Sequence, residues 1–481
     1  MEGLNYKDEP LVRIGIVERT TEATVELASA YKALTIDRKV LWQGKPETLR
    51  LLCLRDNTIP SVPQYRVEIG MYKSYERADA IGEKVRALGY PYRLAHPEHW
   101  TVWVGPFSSM LEAAVAWGQL QAIGLRNASV ATITAPLLKV AVYDAGGELK
   151  YSGNWSVILE AGADTIKIGD SNFRGSLEIS PDAYGSLTLI NLVKVEDYLR
   201  GVVAAEMPAS SPMEALKAQA IIARTYLMKN LHRHSIDSFH LCAAPDCQVY
   251  RGISGETERT DTAVKVTRGL LLAFNNSLAN ALFHSTCGGR TADYSENWHG
   301  ERLPYLTAVN DGSPFDQNDL STEEDFKKFL PTQSANCSRS KYFRWEIKKT
   351  KAELETILSA SLPDYTGDPA LKPGSLRDIR IVRRNTSGRV GEIEITTETG
   401  TYRFSGDEIR WVLGGLRSTM FTIKKEQDTN SETVYNFHGA GWGHGVGLCQ
   451  IGAITLAEKG YSYKQILAHY YPGTKIYSAW R

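Results

Sequence analysis

The sequence lacks any long apolar stretch. No run approaches the ~20 residues that a helix needs to cross a bilayer. Residues Met1 to Pro10 are polar and lack the apolar core of a secretory signal. The sequence therefore predicts neither a membrane-spanning helix nor a signal peptide.

The chain also lacks an excess of charge of either sign. Lysine and arginine together number 55, as do aspartate and glutamate, so the formal net charge is zero. Proteins that bind nucleic acid usually carry a basic patch or a net positive charge. The composition gives no reason to expect a nucleic-acid partner.

Two common catalytic motifs are missing as well. The alternating glycines from Gly439 to Gly447 have neither a P-loop lysine nor the strand and helix of a dinucleotide site. The segment at His284 and Ser285 contains no G-x-S-x-G elbow and no clear acidic partner for a histidine, which argues against a Ser/His/Asp hydrolase. Glycines spaced in this way instead predict close approach of the backbone to another segment or a ligand.

Cysteines are few, with six in 481 residues, and a chain of this length does not depend on disulfides to fold. Cys242 and Cys247 lie close in sequence to His234 and His240. Such a cluster can supply tetrahedral ligands to a structural zinc ion, or the two cysteines can form a disulfide. Both alternatives stay open, and no cofactor is expected to be required.

The length is sufficient for two to four domains. Residues 1–60 contain strand-like segments to which the sequence assigns no role. Residues 61–135 contain a repeat, in which a strand and an amphipathic helix ending at Gly89 are echoed by a second pair ending at Gly124. The repeat predicts a four-stranded antiparallel sheet with two helices on one face, a ferredoxin-like α+β domain.

The remaining residues, 136–481, begin with closely spaced strand patterns and continue with a few helices. A polar stretch at about 310–374 predicts an insertion into this domain. The predicted fold class is therefore α+β, with a β-rich main domain and a small second domain.

The stretch from Tyr198 to Tyr226 constrains function most strongly. A short helix over 196–205 is predicted to end at or just before Glu206, because a proline two residues later excludes the intervening residue from the α region. A long helix follows, and Ser211 and Glu214 predict a capping box at its start. Apolar residues at steps of three or four from Leu216 to Leu231 predict that one face of this helix packs inward.

Glu206 is the candidate general acid. A carboxylate at a helix C-terminus faces the negative end of the helix dipole, which disfavours the anion. We therefore predict a raised pKa for Glu206, as the acid in glycoside cleavage requires. The alternative is a solvated surface or capping glutamate.

Four ordered blocks carry a family resemblance. They are EMPASS with EALKAQAIIARTY, CQVYRG (Cys247–Gly252), HSTCGGRTADYSENW (His284–Trp298) and GHGVGLCQIGA (Gly443–Ala453). Together they resemble the SpoIID/LytB family of lytic transglycosylases and amidase enhancers, over roughly residues 137–477. The resemblance implies peptidoglycan glycan strands as substrate and an extracytoplasmic location, in the periplasm or cell wall. We accordingly expect that an export signal has been trimmed from the chain.

The resemblance also implies how one carboxylate can suffice. Most glycosidases use two, ~5–9 Å apart, and Asp293 and Glu296 are candidates for a second. In lytic transglycosylases the C6 hydroxyl of N-acetylmuramic acid is the nucleophile, giving 1,6-anhydro ends, so Glu206 alone can serve as acid and base. The expected substrate-binding residues are Arg224, Tyr226, His284, Ser285, Arg290, Tyr294, His444 and Gln450. The rival function is a non-catalytic enhancer that binds glycan or recruits a cell-wall amidase.

Two further implications concern other parts of the chain. Some members of the family hold zinc in the loop that corresponds to Cys242 and Cys247, and others have none. The repeat over residues 61–135, with its VGPF segment, resembles the SPOR domain, a module that binds glycan strands stripped of their peptides. The SPOR-like domain and the main domain would then share one ligand.

Overall fold

The computed structural model describes residues 7–56, 63–133, 137–162, 165–298, 300–312, 319–366, 368, 370–429 and 431–480. The start of the polar N-terminus, the predicted domain boundary near residue 60 and part of the predicted insertion at 310–374 lie outside these residues. The structure is mixed and rich in strands. Among the described residues, no helix is both long and apolar enough to span a membrane.

The first five strands do not form a unit of their own. They are β1 (Leu11–Thr20), β2 (Glu22–Leu27), β3 (Tyr31–Leu34), β4 (Val40–Gly44) and β5 (Glu47–Asp56). Strand β1 pairs with residues 187–194, and β5 pairs with residues 137–143. Strands β1 to β5 therefore belong to the main domain, because apolar residues such as Val25 and Leu51 share one buried core with strands from beyond residue 136.

A small α+β unit is inserted between β5 and its partner strand. Its elements are β6 (Gln64–Tyr72), α1 (Tyr75–Ala87), β7 (Tyr92–Ala95), β8 (Trp100–Phe107), α2 (Met110–Ala122) and β9 (Ala128–Ile133). The sheet order is β7-β8-β6-β9, all antiparallel, and both helices pack on the face that carries Val67 and Val102. The four strands and two helices predicted from the repeat are present. The SPOR-like role stays a prediction.

The scaffold consists of two facing sheets. Its other strands are β10 (Leu137–Tyr143), β11 (Leu149–Gly153), β12 (Val157–Glu160), β13 (Ile166–Ile168), β14 (Ser171–Phe173), β15 (Ser176–Pro181), β16 (Leu187–Lys194) and β17 (Leu241–Cys242). The sheet orders are β17-β1-β16-β15-β12-β3-β4 and β11-β10-β5-β2-β13-β14. Alternate apolar residues of both sheets, such as Leu51 and Leu189, share one buried core.

The helices that follow form a second core, here called the central core, around one buried helix. The elements are α3 (Val195–Glu206), α4 (Met213–Lys229), a 3₁₀ turn (Ser235–Asp237), α5 (Glu258–Val266), β18 (Leu270–Phe274), β19 (Ser277–Leu278), β20 (Phe283–His284) and α6 (Tyr294–Trp298). The predicted apolar stripe of α4, including Leu216, Ala220, Ala223 and Leu227, is fully buried. Helix α4 is therefore the rigid element against which the cleft described below is built.

The predicted start of α4 is wrong in detail. Its N-cap is Pro212, which makes no side-chain cap hydrogen bond. Glu214 instead accepts from the Tyr463 backbone N–H at 2.8 Å and pairs with Lys217. The carboxylate is used for tertiary contacts, so Ser211 does not form a capping box with it.

A third core lies in the later part of the chain. Its elements are β21 (Arg344–Thr350), α8 (Lys351–Thr366), β22 (Leu376–Arg384), β23 (Val390–Thr397), β24 (Thr401–Ser405), α9 (Glu408–Val412), β25 (Phe421–Gln427) and β26 (Thr433–Ala440). Helix α7 (Glu323–Phe329) precedes them and packs in a small separate cluster with Met420 and Ala440. Buried residues from Trp345 to Phe437 pack together. The polar stretch predicted as an insertion supplies only the first part of this unit, which continues through β26.

The C-terminal segment returns to the central core. Its elements are β27 (Leu448–Cys449), α10 (Gln450–Glu458), α11 (Tyr463–Tyr470) and β28 (Lys475–Ser478). Strand β27 pairs with β20, and β28 pairs with β18. A capping box formed by Ser462 and Gln465 begins α11.

The small α+β unit is fastened to the central core by buried polar contacts. Arg233 Nη1 lies 2.9 Å from Glu76 Oε1, and their side chains are only 3% and 9% exposed. The ring of Trp100 packs 4.7 Å from that of His234. A second ion pair, Arg77 to Glu408 at 2.8 Å, joins the same helix to the third core.

We predict that Glu76→Gln loosens this attachment. Removing one partner of a buried ion pair leaves an uncompensated charge, here that of Arg233, and costs about 3–5 kcal/mol. Hydrogen exchange should therefore accelerate in α1 and β7. Glu83→Gln, at an exposed carboxylate of the same helix, is the matched control and should change exchange little. Equal protection in both variants would contradict the prediction.

Candidate functional site

Glu206 is the last residue of α3, as the sequence predicted. Its Oε1 accepts a hydrogen bond from the backbone N–H of Val249 at 2.9 Å. Gln450 Nε2 donates to the Glu206 backbone carbonyl at 3.1 Å and lies 3.4 Å from Oε2. Segments more than 40 and 240 residues away therefore fix the orientation of this one carboxyl group.

The pKa of Glu206 is raised above the ordinary glutamate value. Burial is the largest cause, and the hydrogen bonds from Val249 and Gln450 oppose it in part. The predicted direction of the pKa shift is confirmed. Its main cause is burial, and not the helix dipole as predicted. A raised pKa keeps a larger fraction of this carboxyl group protonated near neutral pH.

Glu206 lies in a cleft of about 640 Å³ between the three parts of the molecule. The small α+β unit contributes Lys73, Ser74 and Glu76, and the third core contributes Asp407, Arg410 and Trp411. The central core contributes most of the lining, which includes Tyr226, Arg233, Asp246, Cys247, Val249, His284, Ser285, Trp298, Trp442, His444 and Gln450. The cleft is therefore completed only when all three parts are folded together.

His284 is a neutral hydrogen-bonding group in this cleft. Burial holds its pKa well below the usual histidine range. Its Nδ1–H donates to the Val446 carbonyl at 3.1 Å, which leaves Nε2 as an acceptor. Nε2 is buried and has no hydrogen-bond partner among the described residues. His284 is thus equipped to accept a hydrogen bond from a bound hydroxyl group.

His444 has a different role from the one predicted. Its Nε2–H donates to the Phe283 carbonyl at 2.8 Å, and its Nδ1 accepts from the Val446 N–H at 3.1 Å. Burial lowers its pKa to about 4. Because the backbone occupies both nitrogens, His444 lines the cleft and orders its wall but has no free nitrogen for a ligand.

The glycines beside His444 allow the close contacts that the sequence predicted. Gly443 has a φ of 107°, and a Cβ there would lie 3.0 Å from Cβ of His284. Gly447 has a φ of 73°, and a Cβ there would lie 2.0 Å from the Leu282 carbonyl oxygen. Larger residues would push β20 and β27 apart.

Three predicted substrate-binding residues do not line the cleft. Arg224 is fully buried and forms an ion pair with Glu196 at 2.6 Å, so its guanidinium holds α4 to α3. Arg290 is buried, and its backbone bridges to Asn310. Tyr294 packs against Trp298, with the ring centres 5.3 Å apart, and is not part of the lining. Their positions behind the wall correct the predicted contact role.

The two candidates for a second catalytic carboxylate also lie elsewhere. Asp293 accepts from Ser295 and from Arg302 at 3.1 Å. Glu296 accepts from Thr386 at 3.1 Å. Neither belongs to the cleft lining.

The sequence did not identify several lining residues. Three are tryptophans, Trp298, Trp411 and Trp442, and Trp442 is 41% exposed. Asp407 is bound by Arg410 at 3.0 Å and by Trp411 Nε1 at 3.0 Å. These residues come from segments whose proximity only the tertiary fold reveals, although tryptophan beside a conspicuous motif is a signal for sugar binding.

Three of the four predicted zinc ligands lie together, and the fourth, His240, lies apart from them. The ligand atoms of His234, Cys242 and Cys247 lie within 4.8 Å of one another, and Asp237 orients the imidazole through Nδ1 at 2.9 Å. Such a carboxylate behind a histidine is typical of metal sites. His240 instead accepts from the Arg13 N–H at 3.1 Å. The three clustered side chains fit a zinc site, and the choice between zinc and a disulfide stays a prediction.

Comparison with known proteins shows which family the chain resembles. Residues 183–274 match the family model described as Stage II sporulation protein, and residues 292–447 match a domain of unknown function, DUF8618. The chain is 30% identical to stage II sporulation protein D of Bacillus subtilis over 302 residues, which cover 60% of this chain and 75% of that protein.

Two other relatives are similar over comparable lengths. An amidase enhancer of Bacillus subtilis is 33% identical over 303 residues, 58% of this chain, but the match spans only 40% of that relative. An uncharacterized protein of Brachyspira hyodysenteriae is 28% identical over 314 residues, 65% of this chain and 74% of that protein. The identity to stage II sporulation protein D over three quarters of its length decides the assignment: the chain belongs to the stage II sporulation protein D family.

Proposed function

We propose that this protein is a lytic transglycosylase that cleaves the bond between N-acetylmuramic acid and N-acetylglucosamine in peptide-stripped peptidoglycan. The observation that carries the proposal is the half-buried carboxyl group of Glu206, which has a raised pKa and is held in the cleft by Val249 and Gln450. The family resemblance supplies the substrate class. An extracytoplasmic location belongs to the same proposal.

The hydrogen bonds of Glu206 suit proton donation. Oε1 accepts from the Val249 N–H at 2.9 Å, so it acts as the carbonyl oxygen of the neutral acid. The transferable proton then belongs on Oε2, whose contact to Gln450 is longer, at 3.4 Å. Oε2 is therefore the atom that donates to the glycosidic oxygen.

One acid/base completes the reaction. Glu206 protonates the glycosidic oxygen as the C1–O bond breaks, and the C6 hydroxyl oxygen of the same muramic acid forms the new bond to C1. The hydroxyl proton passes to Glu206, which restores its starting state. No second enzyme carboxylate is consumed, in contrast to ordinary glycoside hydrolysis.

The other carboxylates of the cleft favour this scheme. Glu76 is paired with Arg233 at 2.9 Å, and Asp407 is paired with Arg410 at 3.0 Å. Asp246 is exposed at the rim. Exposed aromatic surface at Trp442 offers a face against which a sugar ring can stack.

We predict that Glu206→Gln abolishes release of 1,6-anhydromuramyl ends and retains binding to glycan. Loss of a general acid lowers the rate by about 10²–10⁴-fold. The measurement is mass spectrometry of purified stripped glycan incubated with the protein alone. Asp246→Asn is the matched control within the cleft and should keep the activity.

The control also separates two mechanisms. If Asp246→Asn abolishes cleavage and the wild type releases reducing ends, the enzyme is a two-carboxylate hydrolase. If the wild type releases no ends at all but stimulates a cell-wall amidase, the protein is a non-catalytic enhancer, the second candidate that the amidase-enhancer relative favours. Either result contradicts the proposal.

A second prediction concerns pH. Glu206 acts in its protonated form, so activity falls as the pH rises through its pKa. Gln450 lowers that pKa by hydrogen bonding to the carboxyl group. Gln450→Met removes the bond, so the falling limb of the pH–activity profile should move to higher pH. An unmoved limb, or a shift to lower pH, would exclude Glu206 as the titrating acid.

We also propose that the small α+β unit binds stripped glycan, as its SPOR-like pattern implies. On the sheet face opposite its helices, the Arg66 guanidinium lies 3.3 Å from the centre of the Trp103 ring. Both residues line a pocket of about 420 Å³ between this sheet and the scaffold. An arginine-stacked tryptophan is a suitable platform for a sugar ring.

The prediction is that the full-length protein is retained by stripped sacculi more strongly than by intact ones. Trp103→Ala should reduce that retention. Trp155→Ala, at a scaffold tryptophan that is 76% exposed, is the control and should leave it unchanged. Equal retention of the wild type by both kinds of sacculi would contradict a SPOR-like role.

A further inference from the structure

Three cysteines and an aspartate meet behind the wall of the cleft. They are Cys287, Asp311, Cys337 and Cys449, and each has a relative exposure of 0%. Their ligand atoms all lie within 4.8 Å of one another. Four residues from widely separated segments thus converge on one buried point, and the Glu206 mechanism uses none of them.

The spacing of this group suits a tetrahedral metal ion. Cys287 Sγ lies 3.5 Å from Cys337 Sγ and 3.1 Å from Asp311 Oδ2. Around zinc, Zn–S bonds of about 2.3 Å place the sulfurs about 3.8 Å apart. Three thiolates and one carboxylate make a closed four-ligand set, and soft thiolate ligands select zinc over magnesium or calcium.

Hydrogen bonds from neighbouring side chains fix the orientation of the Asp311 carboxylate, as is common for metal ligands. Its Oδ1 accepts from Tyr470 Oη at 2.8 Å, Asn336 Nδ2 at 3.1 Å and His469 Nε2 at 3.3 Å. Because these contacts all fall on Oδ1, Oδ2 is left facing the sulfur of Cys287. Outer hydrogen bonds of this kind fix the first-shell ligands of metal sites.

Backbone N–H groups point at two of the sulfurs. Cys449 Sγ accepts from the N–H of Cys287 at 3.3 Å and of Gly452 at 3.4 Å. Cys287 Sγ accepts from the N–H of Gly289 at 3.3 Å. Gly452 is required here, since a Cβ would lie 2.5 Å from Asp311 Oδ2. Donors aimed at sulfur stabilise the thiolate form that binds metal.

We propose that Cys287, Cys337, Cys449 and Asp311 form a structural zinc site, separate from the cluster of His234, Cys242 and Cys247. A disulfide would bond two of the sulfurs and would not involve the third thiol or the oriented carboxylate of Asp311. Zinc uses all four groups and compensates their negative charge in a buried place.

The site has a consequence for the cleft. Cys449 immediately precedes Gln450, and Cys287 follows His284 by three residues in the segment that leaves β20. The metal therefore clamps the paired strands β20 and β27 to the segments that carry Asp311 and Cys337. It holds two lining residues in place without contacting substrate.

The test is zinc content by mass spectrometry of the full chain, purified without reductant or added metal and passed through EDTA and gel filtration. Asp311→Asn and Cys449→Ser are each expected to contain one equivalent of zinc less than the wild type. Cys53→Ser, at the one cysteine outside both clusters, is the control and should match the wild type. Cys242→Ser should keep the zinc that Asp311→Asn loses.

Three outcomes would overturn the proposal. They are a wild type without zinc, zinc content unchanged in both Asp311→Asn and Cys449→Ser, or peptide mapping that shows a disulfide between two of the three cysteines. If Cys449→Ser does not fold, as judged by circular dichroism, Asp311→Asn decides, because it keeps the side-chain volume and removes only the charged ligand.

Discussion

The hydrogen bond from Val249 to Glu206 is the interaction on which the candidate site depends. A half-buried carboxyl group at a helix C-terminus, such as that of Glu206, lies beside carbonyl groups, so a hydrogen-bond donor must come from another segment. That donor lies on the loop after β17, and β17 is held beside β1 by the pairs Ile14↔Leu241 and Gly15↔Cys242. Strand β1 therefore supports the position of Glu206 although it does not line the cleft.

The same dependence explains how the cleft is assembled. Helix α1 joins the central core through Glu76 and Arg233 and joins the third core through Arg77 and Glu408. Both ion pairs are largely buried, so separating either contact exposes unpaired charge. The walls that carry Glu206, His284 and Trp411 are thereby held in one arrangement, which gives the site the preorganisation that the proposed proton transfer needs.

Sequence patterns predicted the features that residues close together in the chain determine. The end of α3 at Glu206, the buried stripe of α4 and the close approach at Gly443 all follow from residues near one another in the chain. The capping box at Ser211 failed because Glu214 has a better tertiary partner in Tyr463. Arg224 was predicted to bind substrate, whereas the helix turns its guanidinium toward Glu196. The grouping of Cys287 with Cys449, and the joining of β5 to β10, depend on pairings across long separations that periodicity does not report.

The electrostatics of Glu206 bear on whether the protein cleaves glycan or only holds it. A carboxyl group whose pKa is raised by burial makes the folded state less stable when it is ionised, and this penalty grows as the pH rises. A binding group for sugar hydroxyls does not require such a penalty, because a neutral amide in the same place offers both a donor and an acceptor. A raised pKa increases the protonated fraction of the carboxyl group at a given pH, and only the protonated form can donate the proton that acid catalysis transfers. The partial burial of Glu206 beneath Val249 and Gln450 therefore supports the proposed acid catalysis over a role in binding alone.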